Sequence, residues 1–138
     1  MGMISVEGFD QFSISLDKLA ALPDSVVSEM LVAGGEVIKD AHQAKLEGMG
    51  ISDTGQLAAS IKVGRPNAKA GTIDIRPSGT RRRGNTSTRN EEIGAIIESG
   101  KKGMAARPWM REANAEAEDK AADAAAKPFE NFLDKIGL

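Results

Sequence analysis

The chain has 138 residues, enough for one domain with a modest core, and 41% hydrophobic with 28% charged content fits a globular class. It has no cysteine, which excludes disulfides, thiolate nucleophiles and cysteine zinc sites, and its single histidine leaves little for acid–base catalysis. The net charge of −2 conceals a basic middle: residues 61–111 carry twelve basic against four acidic side chains, while 1–60 carry three against nine and 112–138 three against seven.

Met3–Phe9 reads as a first strand, because Ile4 and Val6 alternate with Ser5 and Glu7. Met1–Phe12 lacks the basic start and apolar segment of a signal peptide, and no apolar run nears the roughly 18 residues of a membrane span, so a cytoplasmic protein is expected. Asp10–Ser15 reads as a connector and Leu16–Leu19 as a short helical turn.

Pro23–Glu47 is predicted to be the first long helix. Val27, Met30, Leu31, Gly34, Val37, Ile38, Ala41 and Lys45 recur at three- and four-residue steps and draw one stripe. Gly34 and Gly35 inside it cost about 1 kcal/mol each relative to alanine, which points to a bend or to the close approach of another segment. Gly48 and Gly50 end the helix. In Ser52–Ser60, Asp53 or Thr54 can cap a short helix that turns Leu57 and Ile61 inward. Ile61–Gly64 and Gly71–Pro77 read as strands joined by a turn at Arg65–Lys69, an antiparallel hairpin.

Ser78–Asn90 is polar throughout and is expected to be a mobile surface loop. Glu92–Glu98, with Ile93, Ile96 and Ile97, reads as a third strand of the hairpin, a short helical turn being the alternative. After a loop at Ser99–Ala106, Pro108 opens a long C-terminal helix running towards Ile136. Its apolar stripe is Met110, Ala113, Ala117, Ala121, Ala124 and Ala125, then Phe129, Phe132, Leu133 and Ile136, and Pro128 should kink or break it. The fold expected is α+β, a small antiparallel sheet packed against two main helices within one domain, 1–138.

Few residues offer chemistry. Asp53-Thr54-Gly55 shares its letters with an aspartic-protease triplet, but that reaction needs a second triplet and the chain has none. His42 has no serine nucleophile in a recognisable motif beside it and is expected at a helix surface or boundary. Glu116, Glu118, Asp119 and Asp123 form no metal-ligand spacing and mark the wet face of the last helix. Gly48-Met49-Gly50 and Gly100–Gly103 lack the lysine and hydroxyl ending of a phosphate loop. No cofactor or metal is expected.

Interaction is the stronger expectation. Arg81, Arg82, Arg83 and Arg89 give the Ser78–Asn90 loop its charge; a solvated loop is the plainer reading, and contacts with DNA phosphates or with an acidic neighbouring subunit are the alternatives. The acidic total favours the second partner, and the lack of an aromatic in the loop argues against base stacking. Arg107 and Trp109 are candidate interface anchors, with core packing the plainer role for Trp109.

Three patterns together resemble a known family. Asp53-Thr54-Gly55-Gln56-Leu57-Ala58-Ala59-Ser60-Ile61 looks like a D-T-G-x-L-x-x-S-I element. Glu98-Ser99-Gly100, followed by Ala106-Arg107-Pro108-Trp109-Met110, looks like E-x-G then A-R-P-F-[ML], with Trp in place of Phe. A charged, alanine-rich helix closes the chain. In this order they resemble the tail-component family of long-tailed bacteriophages, over residues 3–136. The resemblance implies a structural protein of the virion neck, forming a hexameric or dodecameric ring around the DNA channel. It further implies contact with head-completion or connector proteins and with a tail terminator or tail tube. The Ser78–Asn90 loop departs from the pattern and takes no role from it. The alternative is a nucleic-acid-binding module using residues 61–89.

Overall fold

Alternation of period two builds the sheet. The strands are β1 (Ile4–Glu7), β2 (Gln11–Ile14), β3 (Ile61–Val63) and β4 (Thr72–Pro77). The computed structural model describes residues 4–7, 10–14, 22–50, 54–83 and 86–137, with backbone alone at 4–7, 54, 82, 83 and 86. The order is β1-β2-β4-β3, antiparallel throughout. The expected hairpin forms, with Ile61 opposite Pro77 and Val63 opposite Ile75. Gln11–Ile14 corrects the connector expected at 10–15: Phe12 and Ile14 are buried and alternate with Gln11 and Ser13, and Phe12 pairs with Ile73.

One face of the sheet is apolar and one polar, as a single covering layer of helices requires. Phe12, Ile14, Ile61, Ile73, Ile75 and Pro77 are buried. On the other face Gln11 Nε2 donates to Asp74 Oδ1 at 3.1 Å, and Arg76 bridges Asp10 and Asp74 at 3.3 Å and Glu91 at 3.8 Å.

The first long helix, α1 (Asp24–Gly48), covers the apolar face. It starts after Pro23, and Gly50 follows its end with a φ of +69°. Its buried stripe is Val27, Met30, Leu31, Gly34, Gly35, Ile38, His42 and Leu46. The two glycines mark a close approach. A Cβ on Gly34 would overlap the ring of Phe12, and one on Gly35 would lie 3.2 Å from Val63 and 3.4 Å from Ile73. The short helix α2 (Thr54–Ser60) buries Leu57 and Ala58. Residues 16–19 and Asp53 lie outside the described residues.

Residues 92–98 are not a strand: they belong to a helix, α3 (Asn90–Ser99). Asn90, Gly94, Ile97 and Glu98 are buried at helical spacing, and Glu91 and Glu92 sit in the first turn, where carboxylates favour a helix start. Ser78–Asn90 is likewise not a structureless loop. It contains a two-stranded ribbon, β5 (Thr80–Arg83) and β6 (Thr86–Arg89), with Gly84 and Asn85 outside the described residues.

The last helix, α4 (Trp109–Lys135), makes with α1 the largest contact in the fold and also touches β1. Ala113, Ala117, Ala121 and Ala125 are buried in this seam. Small side chains let helix axes approach, so a core poor in rings can still exclude water. The helix runs through Pro128 rather than breaking there. The proline withdraws a donor from one carbonyl, that of Ala124, and beyond it Phe129 packs against the core. The stripe does fail at its far end, where Ile136 is 53% exposed. The α+β architecture with a long C-terminal helix is as expected.

Gly34→Ala tests the glycine contact. Helix propensity alone would add about 1 kcal/mol of stability. The overlap with Phe12 should reverse the sign, to a net loss of about 1–3 kcal/mol in urea unfolding; a gain would show that the approach is not tight.

Candidate functional site

Two of the sequence patterns meet at one joint. Gly100 ends α3 with a φ of +76°, and a Cβ there would lie 2.7 Å from the Ala106 nitrogen and 2.9 Å from the Met104 oxygen. The loop closes through Lys101 N–H donating to Met104 O at 3.0 Å and Met104 N–H to Lys101 O at 2.8 Å, and the Arg107 N–H donates to Ile97 O at 2.8 Å. The chain therefore reverses against the end of α3 and enters α4.

Pro108 sits at the N-cap of α4 and offers no side-chain acceptor. Glu98 supplies it from the neighbouring helix. Its carboxylate, 7% exposed, accepts the Met110 N–H at 2.8 Å and the Arg111 N–H at 3.2 Å. A carboxylate at orphan N–H groups, on the positive end of a helix, is a favourable placement for a buried charge.

Trp109 has no exposed surface. Its Nε1–H donates to Gly94 O at 3.0 Å. A Cβ on Gly94 would lie 3.1 Å from the Trp109 ring, 3.3 Å from Pro77 and 3.8 Å from Leu57. Trp109 thus belongs to the core of its own chain and offers no surface to a partner. Leu57 carries the first pattern into this joint, and the Ser60 Oγ–H closes its helix onto Leu57 O at 2.6 Å. Gly55 of that pattern faces open space.

His42 lies on the other side of the tryptophan, with ring centroids 5.3 Å apart and planes at 81°. It is fully buried, which corrects the surface placement expected for it. Positions 31, 35, 38, 42 and 46 share one helical face, so the spacing carried the signal and the polar label obscured it. Its Nε2–H donates to Asn114 Oδ1 at 2.7 Å across the α1–α4 seam, and among the described residues no hydrogen-bond partner meets Nδ1. Burial pushes its pKa below the ordinary value, against the opposing hydrogen bond from Asn114 and the charge of Asp10. The ring is therefore neutral at neutral pH and works as a packed polar tie.

The arginines separate into two places. In the ribbon Thr80 pairs with Arg89, Arg81 with Thr88, Arg82 with Ser87 and Arg83 with Thr86. Asn90 clasps its base, N–H to Gly79 O at 3.0 Å and Nδ2 to Ser78 O at 2.8 Å. Arg81 is half-buried, and exposed Arg89 pairs with Glu92 at 3.3 Å. Arg107 stands apart from the ribbon: its Nη2 donates at 3.0 Å to Met49 O, at the negative end of α1.

No family model, curated protein or solved structure matches the chain.

Among the described residues no group of three or more His, Asp or Glu could hold a metal ion, and no helix is long and apolar enough to cross a membrane. Two adjoining shallow grooves between α1 and α4, about 330 and 390 Å³, are floored by Ala41, Ala44 and Ala117 and edged by Lys45, Glu116 and Lys120. They bring no nucleophile to a base. What the joint accomplishes is capping and packing.

Two outcomes follow from the joint. Glu98→Ala should lower unfolding free energy by about 2 kcal/mol, with Glu98→Gln recovering part of it, because a buried helix start loses its charged acceptor; an unchanged urea midpoint would remove Glu98 from this role. For His42 the folded pKa lies below the unfolded value of about 6.5. Its stabilisation is complete above that pH and declines as pH falls below it towards the folded pKa, since the unfolded chain binds the proton first. Urea midpoints followed from neutral to mildly acidic pH should therefore decline less steeply in His42→Gln than in the parent; equal slopes would exclude a contribution from this ring.

Proposed function

We propose that the chain is a non-catalytic structural subunit of a long-tailed bacteriophage neck, joining head to tail or completing the tail. Copies close into a hexameric or dodecameric ring around the DNA channel, in a virion assembled in the bacterial cytoplasm. One face of the ring meets head-completion or connector proteins, the other a tail terminator or tail tube.

The observation that carries this is the fate of the motif residues. Leu57, Glu98, Gly100 and Trp109 are spent on one internal joint. A motif that serves catalysis leaves a reactive group facing a cleft; these residues hold a shape instead. The resemblance to tail components rests on the same residues, so the joint supports a shared scaffold rather than shared chemistry.

A second reading, a nucleic-acid-binding module across residues 61–89, is favoured by one feature. The ribbon places arginines at 81, 82, 83 and 89 among threonines and serine, with no acidic residue between Ser78 and Asn90.

Deleting the coding sequence from the phage that carries it should leave DNA-filled heads and separate, unattached tails under electron microscopy. Infectious particles of normal form would overturn the neck assignment.

A further inference from the structure

We infer that the β3–β4 turn, with Lys62, Arg65 and Lys69, binds the phosphate backbone of duplex nucleic acid. The inference rests on the ring proposed above and names the face it turns towards the DNA channel.

The sequence concentrates one sign of charge here. Residues 54–73 hold these three cations and no carboxylate. All three side chains are exposed. Among the described residues none of them makes an ion pair. The net charge of −2 does not cancel them, because at physiological salt a charge acts over about 8 Å and the local balance decides.

The turn holds its backbone still. Asn67 N–H donates to Thr72 O at 2.8 Å, and Asn67 O accepts from Gly71 N–H at 2.8 Å and from Thr72 N–H at 3.2 Å. Asn67 Oδ1 accepts the Ala70 N–H at 3.1 Å. Gly71 takes a φ of +71°, and its carbonyl accepts the Ile14 N–H at 2.8 Å, which ties the turn to β2. A loop already ordered spares its ligand the cost of ordering it.

One pairing in the hairpin opposes folding. Lys62 stands directly opposite Arg76 in the β3–β4 register, and like charges so placed repel. Arg76 is compensated by Asp10, Asp74 and Glu91. That compensation stops at β4, and an anion over β3 extends it to Lys62. β3 is an edge strand of the sheet, so a long ligand can approach it from the side.

The composition of the patch selects the partner. Protein interfaces centre on aromatic or aliphatic anchors. The exposed residues among these cations are Gly64, Asn67 and Ala70, none of them an anchor. Point charges without an anchor suit a ligand of repeating charge, and a DNA duplex carries one charge per roughly 1.7 Å of its axis. Residues 60–73 contain no aromatic on which bases could stack, so a duplex fits better than a single strand.

The test titrates the full-length chain against a labelled DNA duplex by fluorescence anisotropy, with circular dichroism confirming folded variants. The parent should bind at low salt and weaken as salt rises. The variant Lys62→Gln, Arg65→Gln, Lys69→Gln should bind at least about tenfold more weakly, with a shallower salt dependence. A control removes equal charge from three exposed lysines elsewhere, Lys101→Gln, Lys102→Gln and Lys127→Gln. It should stay within about threefold of the parent. Equal losses in both variants overturn the site, because total charge then accounts for binding. A turn variant of unchanged affinity overturns it, as does a parent that leaves the duplex unbound. Polyglutamate that competes as well as unlabelled duplex assigns the turn to an acidic protein and also overturns it. All of these results leave the ring to the phage deletion. Conversely, a deletion that yields normal particles beside turn-dependent binding overturns the neck and keeps the turn as a duplex-binding site.

Discussion

Trp109 occupies the point where α2, α3, the end of β4 and the start of α4 meet. Its indole N–H is satisfied by Gly94 O, and its ring packs close over position 94, where a Cβ would lie 3.1 Å from it. Burying a large ring with its one polar atom paired is among the strongest single contributions to a small core. The Glu98 carboxylate holds the adjoining backbone of α4 from the same helix that provides Gly94. The direction in which the 27-residue final helix leaves the body is therefore set within a few residues of its start.

From that joint, α4 runs along α1 on small side chains. With aromatics at 4%, water is excluded by close approach rather than by bulky rings: glycines of α1 against Phe12, Val63 and Ile73, and alanines of α4 against α1. The cost of such a seam is low tolerance, since added volume has nowhere to go. The buried contact of His42 with Asn114 is compatible with the seam because the ring stays neutral and its N–H is paired.

Core and surface divide the residues cleanly. The joint uses the glycines, the tryptophan and the buried carboxylate. Among the described residues the surface keeps the exposed carboxylates of α4, Glu112, Glu116, Glu118, Asp119, Asp123, Glu130 and Asp134. The polar face of the sheet is neutralised within the chain, where Arg76 meets Asp10, Asp74 and Glu91. Such exposed pairs add little stability. What they do is remove Arg76 from the excess positive charge of the middle segment.

Periodicity with its flanking turn and proline residues marked α1, the β3–β4 hairpin, α4 and the α+β class, because such patterns are local properties of the chain. It also marked the outer line of α4 as wet. Short elements were less legible. The ribbon has no apolar residue to betray its alternation, β2 spans four residues, and the isoleucines of α3 suit a strand as well as a helix. Helical spacing put His42 on the inner face of α1, but only tertiary packing decided which groups His42 and Glu98 pair with. Their partners lie 72 and 12 residues away, and a polar side chain enters a core only where such a distant group waits to pair with it.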